Sequence, residues 1–166
     1  MRASDQGANL DRYMLVPRTL IFLTQGEKIL LLKGASTKRL WAGLYNGVGG
    51  HIEPGEDVLT AARRELFEET GVTQVNLWLC GIVTVDTGSN PGVGIFVFKG
   101  ECLECNPVIS REGELEWFGL SDMDNIPLVA DLPLLLPKIL AYNPGLPPFF
   151  AHSWYEESGS LVVDFT

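Results

Sequence analysis

The chain has few cysteines, few basic residues and no long apolar run. Cys80, Cys102 and Cys105 are an odd number among 166 residues, in a chain large enough to need no disulfide staple. Cys102 and Cys105 share the C-x-x-C spacing of zinc and redox pairs, but a structural zinc takes four ligands and no second Cys/His pair is present. The expectation is free thiols in a loop or strand pair. The longest apolar run near the start, Met14 to Leu23, is broken by Arg18 and is too short to cross a bilayer at about 20 residues. No charged segment leading into a small-residue cleavage site is visible, so a cytoplasmic protein is the default expectation. Lys+Arg 12 against Asp+Glu 21 leave a formal charge of −9. That argues against duplex nucleic acid and anionic membranes, which are met by basic patches. A small anionic substrate stays compatible if a metal ion supplies positive charge. No protein partner is indicated, and monomer and homodimer both remain open.

What is present describes a folded chain. With 46% hydrophobic and 20% charged residues, disorder and collagen-like architecture are excluded for the bulk of it. Residues 1–12, rich in polar residues and Gly, read as a flexible arm, and 13–166 as a single domain. Thr19 to Thr24 and Lys28 to Lys33, joined by Gln25-Gly26-Glu27, read as a buried hairpin. Tyr45 to Val48 and His51 to Glu53 are short strand pieces in a Gly-rich stretch. Asp57 to Thr70 is the clearest helix, with an apolar stripe at Leu59, Ala62 and Leu66 and Gly71 placed as a C-terminal cap. Strands follow at Val75 to Asp86, Val93 to Lys99 and Glu114 to Leu120. A second helix covers Leu132 to Tyr142, and Phe149 to Trp154 with Leu161 to Phe165 form a final hairpin. The fold class is α+β, a mixed sheet with helices on its faces.

The first helix ends in Arg64, Glu65, Glu68 and Glu69. Residues three and four apart share a face, so the three glutamates project as one carboxylate cluster. They stand at the end of the helix whose carbonyls already carry partial negative charge, which costs roughly 0.3–1 kcal/mol each. Arg64 can pair with Glu68 and reach back to Glu56, neutralising part of the cluster. A hard divalent cation with oxygen ligands accounts for the rest, Mg²⁺ being the usual one where phosphates share the coordination sphere.

From Gly50 to Val72 the chain reads GHIEPGEDVLTAARRELFEETGV. It matches GX5EX7REUXEEXGU, with U aliphatic, at Gly50, Glu56, Arg64, Glu65, Leu66, Glu68, Glu69, Gly71 and Val72. With these residues the chain resembles the Nudix hydrolases. The resemblance implies an α/β/α sandwich around a mixed sheet, with the box as a loop-helix-loop that binds Mg²⁺ or Mn²⁺ and hydrolyses a nucleoside diphosphate linked to another group. Carried over residue by residue, it implies Glu65, Glu68 and Glu69 as metal ligands, with Arg64 and Glu56 orienting them. Gly50 supplies close backbone approach. A further glutamate outside the box, Glu112 or in reserve Glu114, completes the catalytic set.

Substrate choice rests on residues outside the box. Tyr45-Asn46-Gly47-Val48-Gly49-Gly50 is similar to the base-reaching segment of MutT-type members. Asn46 offers a donor and an acceptor to a purine edge, with a turn residue as its plainer reading. Asp131, before the second helix, stands where such members read the base, or else caps that helix. Lys33, Lys38 and Arg39 can meet phosphates. Trp41, Tyr45 and Phe22 offer stacking surface, and the C-terminal hairpin is similar to one that walls the base pocket in 8-oxo-dGTP hydrolases. The implied activity is pyrophosphohydrolysis of purine nucleoside triphosphates, oxidised ones included. The rival readings are a hydrolase of ADP-ribose, a nucleotide sugar or a non-nucleoside pyrophosphate, and a non-catalytic nucleotide sensor. The carboxylate cluster makes a direct prediction: adding Mg²⁺ raises the thermal unfolding midpoint of the free protein, and removing it sharply lowers substrate affinity. A midpoint indifferent to Mg²⁺ contradicts a metal role for the cluster.

Overall fold

The computed structural model describes residue 7 and residues 11–35, 41–108 and 113–166. Most of the expected arm, residues 1–6 and 8–10, and the loop cations Lys38 and Arg39 lie outside the described residues, as does Glu112. The arm's last residue is tied down, the Asn90 side-chain amide donating to the Arg12 carbonyl.

Eight strands form one mixed sheet: β1 (Leu15–Gln25), β2 (Lys28–Gly34), β3 (Tyr45–Asn46), β4 (Asn76–Val85), β5 (Gly92–Glu101), β6 (Gly113–Gly119), β7 (Phe149–Tyr155) and β8 (Leu161–Phe165). The order is β3-β2-β1-β5-β4-β7-β8, with β6 on the free side of β2. Both hairpins fold as read, β1 with β2 and β7 with β8 antiparallel. The parallel pairs β1–β5 and β4–β7 carry no local sequence signal. Expected Tyr45 to Val48 shortens to two residues, and β1's outer edge is instead bridged at Ile21–Val48 and Arg18–His51. Gly49, at φ 146°, bends the chain between those bridges, where a Cβ would collide with the Thr19 carbonyl.

The sheet is buried on both faces, which is why β1 and β2 read as continuous apolar runs. Ile21 and Leu23 of β1 and Leu30 and Leu32 of β2 pack with Ala62 and Leu66 of helix α1 (Val58–Thr70). The alternate residues, Phe22 with Ile29 and Leu31, pack with Leu132, Leu135, Leu136 and Ile139 of helix α2 (Leu132–Ala141). Each such fully buried Leu or Ile contributes roughly 1.5–3 kcal/mol. Phe22, 0% exposed, is core and offers no stacking surface.

Helix α1 starts where the Asp57 carboxylate accepts from the N–H groups of Leu59 and Thr60 at 2.9 and 3.0 Å. It stops at Gly71, left-handed at φ 73°, whose N–H donates to the Phe67 carbonyl. The segment after β5 is fastened to both ends of this layer. The Cys102 N–H donates to the Thr24 carbonyl, and the Val108 N–H donates to Thr70 at the end of α1. Between them Cys102 and Cys105 are joined as a disulfide, which corrects the expectation of free thiols for this pair. The turn sets their Cα atoms 6.0 Å apart, inside the span that a disulfide bridges. Cys80 is free and buried in the α2-side core, where desolvation pushes its thiol up to about 12.

Helix α2 is held at its far end by Lys99, whose buried ammonium donates to the carbonyls of Leu140 and Tyr142 at 3.2 and 2.9 Å. That satisfies carbonyls left open at the helix terminus. A 3₁₀ turn, Leu120–Asn125, leads from β6 toward α2 and was not visible in the sequence pattern. None of the described helices is long and apolar enough to cross a membrane. Gly71→Ala is expected to lower the unfolding free energy by about 1–2 kcal/mol in a urea titration. The added methyl is strained at φ 73° and stands 2.8 Å from the Val108 side chain. An unshifted midpoint would show that the cap relaxes freely.

Candidate active site

The turn 50–56 and the end of α1 are locked together by one side chain. Arg64 donates from Nε and Nη2 to the two Glu56 oxygens at 2.7 and 2.9 Å. Its Nη1 donates to Glu65 at 2.8 Å and to the more exposed Glu68 at 3.2 Å, and Nη2 also reaches the His51 carbonyl at 3.0 Å. Such a two-pronged charge-assisted pair fixes direction as well as distance. The hydrogen bond from Arg64, helped by the Glu53 N–H, holds Glu56 below the usual carboxylate range. The same partners, Glu56 first and then Glu65, raise the Arg64 pKa.

Two glutamates face the adjoining cavity. Glu69 is 3% exposed and accepts the Gly49 N–H at 2.8 Å. Glu65 lies against Gly50 so closely that a Cβ there would stand 2.5–2.7 Å from its carboxylate atoms. Gly50 is therefore the one residue type that leaves room for this carboxylate. The donor set consists of hard oxygens, and among the described residues no group of three acidic, Cys or His side chains forms a ready-made metal cage. Two carboxylates facing a cavity suit a small divalent cation such as Mg²⁺, which takes one or two carboxylates and fills its remaining positions with phosphate oxygens and water. Glu68 faces outward and is engaged by Arg64. Glu114 pairs across the sheet with Lys33 and is not among the described residues that line the cavity with Glu65 and Glu69.

The cavity, about 390 Å³, is large enough for a small-molecule ligand. Its lining includes Glu65, Glu69 and Gly50 of the box together with Asn46, Leu44, Leu20, Ile95 and Asp131. Asn46 lines the cavity, and its side-chain oxygen accepts the Gly47 N–H at 2.8 Å, as its plainer turn reading expects. Asp131 occupies the N-cap position of α2 without capping it. Its backbone is helical, at φ −84° and ψ −20°, and no side-chain cap bond forms. Burial then raises its carboxyl pKa, leaving a group able to donate as well as accept at the cavity wall.

Tyr45 and Lys33 do not join the cavity. The register pairs Lys33 with Tyr45 on the α2 face. There the Tyr45 hydroxyl donates to Glu116 at 2.9 Å, its ring meets Phe118 edge-on, and the Lys33 ammonium lies 5.5 Å from the ring centre. Burial, then that Glu116 contact, raises the Tyr45 pKa. The C-terminal hairpin lies elsewhere too: Phe149 covers Gly81 of β4 and meets Phe165, and no residue of β7 or β8 lines the cavity. Trp41 does line it. Sequence reasoning missed Arg18, Thr19, His51 and Glu53, which also line it. Only the interruption of an apolar strand by Arg18 hinted at any of them.

The lowered Glu56 pKa has a pH signature. Its pairing with Arg64 contributes stability that is present in full above the ordinary glutamate value of 4.5 and is lost as pH falls through the depressed folded-state value. Thermal unfolding of the Glu56→Gln variant should therefore begin at a lower midpoint near neutrality and converge on the wild type under acid. Parallel curves across the whole range would remove Glu56 from the acid transition.

The comparisons agree with this geometry. Residues 14–139 match the NUDIX domain. A Danio rerio oxidized purine nucleoside triphosphate hydrolase is 34% identical over 128 residues, 72% of this chain and 79% of that protein. Its Mus musculus counterpart is 33% identical over 129 residues, with the same shares covered. The crystal structure of a MutT protein from Bacillus halodurans superposes with a TM-score of 0.75 at 25% identity, covering 90% of this chain and 96% of that one. With the box residues gathered by Arg64 beside a nucleotide-sized cavity, and with these relatives, the chain belongs to the Nudix hydrolase family.

Proposed function

We propose that this protein is a pyrophosphohydrolase of purine nucleoside triphosphates, oxidised purines among them, releasing nucleoside monophosphate and pyrophosphate. The observation that carries the reading is a single cavity lined both by the box carboxylates Glu65 and Glu69 and by two polar groups suited to a purine edge, Asn46 and Asp131. The names of the zebrafish and mouse relatives support the same substrate class. Mg²⁺ is the working ion, with Mn²⁺ as a substitute, and the protein acts in the cytoplasm as a monomer or homodimer, clearing damaged nucleotides.

When bound, the divalent ion neutralises charge developing on the phosphates and acidifies a bound water. Glu65 and Glu69, which line the cavity, would hold it, with Glu68 and the sequence candidate Glu112 as further carboxylates. A box glutamate accepts or orients the proton of the attacking water, which displaces in line at phosphorus. Arg64 acts through its neighbours, keeping the Glu65 carboxylate turned to the cavity. Asn46 presents its amide N–H to a purine acceptor while its oxygen stays with Gly47. Asp131, its acid form favoured by burial, donates to or accepts from the purine edge.

Pyrophosphate release in Mg²⁺ is to be measured against canonical and oxidised purine triphosphates, ADP-ribose and nucleotide sugars. Turnover is expected to be fastest with a purine triphosphate. The Glu69→Gln variant, which keeps an oxygen for the Gly49 N–H, should stay folded and lose kcat by orders of magnitude. Preferred hydrolysis of ADP-ribose or a sugar nucleotide would replace this substrate class. Binding without turnover would mean a sensor, and near-normal turnover by folded Glu69→Gln would sink the site assignment.

A further inference from the structure

The cavity contains an arginine that the box does not use. Arg18 of β1 is the one Lys or Arg among the described residues that line it, against four carboxylates, Glu53, Glu65, Glu69 and Asp131. Arg64 answers Glu65, and the Gly49 N–H answers Glu69. Arg18 answers none of them: among the described residues its guanidinium has no ion pair or hydrogen bond, and its one close partner is the Trp41 ring, 5.7 Å from centre to Cζ. A guanidinium stacked on an indole keeps its donor fork free for a bidentate acceptor.

The stack is built rather than incidental. Trp41 is 45% exposed and holds φ at 60°, a backbone region that bulky residues rarely enter and that persists where the surroundings impose it. Here they do. The Trp41 carbonyl accepts from Leu44 N–H, and Gly34 packs so near that carbonyl that a Cβ would stand 2.5 Å away. On the other side, the backbone of Arg18 is bridged to His51, next to Gly50. The following residue, Thr19, is 3% exposed, lines the same cavity, and carries a hydroxyl that is the one buried side-chain N or O without a partner among the described residues. Buried polar groups are rarely left so unless a ligand or water completes them.

We propose that Arg18, steadied on the Trp41 ring, receives the distal phosphates of the nucleotide and sets the preference for a triphosphate over its monophosphate product. The proposal rests on the pyrophosphohydrolase reading for its substrate. A triphosphate brings the anionic oxygens that fit the free fork, and a ligand without distal phosphates leaves the fork empty in an otherwise acidic cavity.

The test compares wild-type protein with the Arg18→Lys and Arg18→Gln variants of the full chain. Calorimetry in Mg²⁺ titrates inorganic pyrophosphate and, separately, a purine monophosphate; steady-state kinetics follow the preferred triphosphate. In Arg18→Gln, pyrophosphate affinity should fall about 10–100-fold, the scale of lost hydrogen bonds to a charged partner. Monophosphate affinity should stay near wild type, KM should rise in step with the pyrophosphate loss, and kcat should hold. Arg18→Lys, which keeps charge but not the fork, should fall between. A merely structural Arg18 would weaken both ligands together, and that result overturns the proposal. So do unchanged pyrophosphate affinity and a wild type that binds no pyrophosphate. The two readings fail separately. A wild type that cleaves triphosphates while Arg18→Gln binds pyrophosphate normally removes Arg18 alone. One that binds pyrophosphate through Arg18 yet cleaves no triphosphate removes the proposed activity alone.

Discussion

The site depends on the geometry around one guanidinium. All five N–H donors of Arg64 are engaged: two on Glu56, one each on Glu65 and Glu68, and one on the His51 carbonyl. Without that cation, carboxylates would crowd the negative end of a helix dipole. With it, the turn after Gly50 is pinned to the last turns of α1, and Glu65 is held against a glycine. Glu69 is placed by a different force. Leu66 and Ala62 draw α1 onto the sheet, and Glu69, on the same face, is carried inward until Gly49 meets it. Apolar packing thus brings a charge to where it is useful, and the backbone N–H compensates part of its desolvation.

This arrangement explains how an acidic chain accommodates an acidic ligand. The negative charge in the cavity is divided between carboxylates already answered by the protein and a smaller remainder facing the ligand. Hard-oxygen chemistry at Glu65 and Glu69 suits a divalent ion at one end, and Arg18 stands as a counter-charge on the wall. Electrostatic complementarity of this kind favours a bound polyphosphate lying toward the cations rather than beside the Asp131 carboxylate.

Much of this was legible in the amino-acid order. The helix cap Gly71, the two hairpins and the box residues are determined locally, by capping chemistry, strand alternation and spacing, whereas Asp57, read as the first helical residue, is the N-cap. The doubly buried sheet followed from continuous apolar strands. Other features are determined by distant partners. No pattern in Leu15–Gln25 announces β5 as its parallel neighbour. Tyr45 and Lys33 looked like ligand contacts because they flank the Gly-rich segment, but they are register partners whose side chains engage Glu116, Phe118 and each other instead of lining the cavity. Asp131 read equally as a ligand contact or a cap, and only its helical backbone dihedrals show why the side chain does not cap α2. The Cys102–Cys105 bond depends on a tight turn between two anchored ends, which composition cannot reveal. Arg18 needed the fold to bring Trp41 over it.

The parallel pairing of β1 with β5 bears on how the protein is made. Leu15 lies against Gly92 and Thr24 against Glu101, so the strand that floors the cavity cannot gain its neighbour until the whole box, α1 and β4 have left the ribosome. Long loop closures of this sort are slow. The nascent chain therefore exposes the box helix, with its apolar face and its acidic end, before a surface exists to receive it. Assembly of the site is a late event in synthesis, and a chain truncated before β5 would carry the complete box sequence without the floor beneath it.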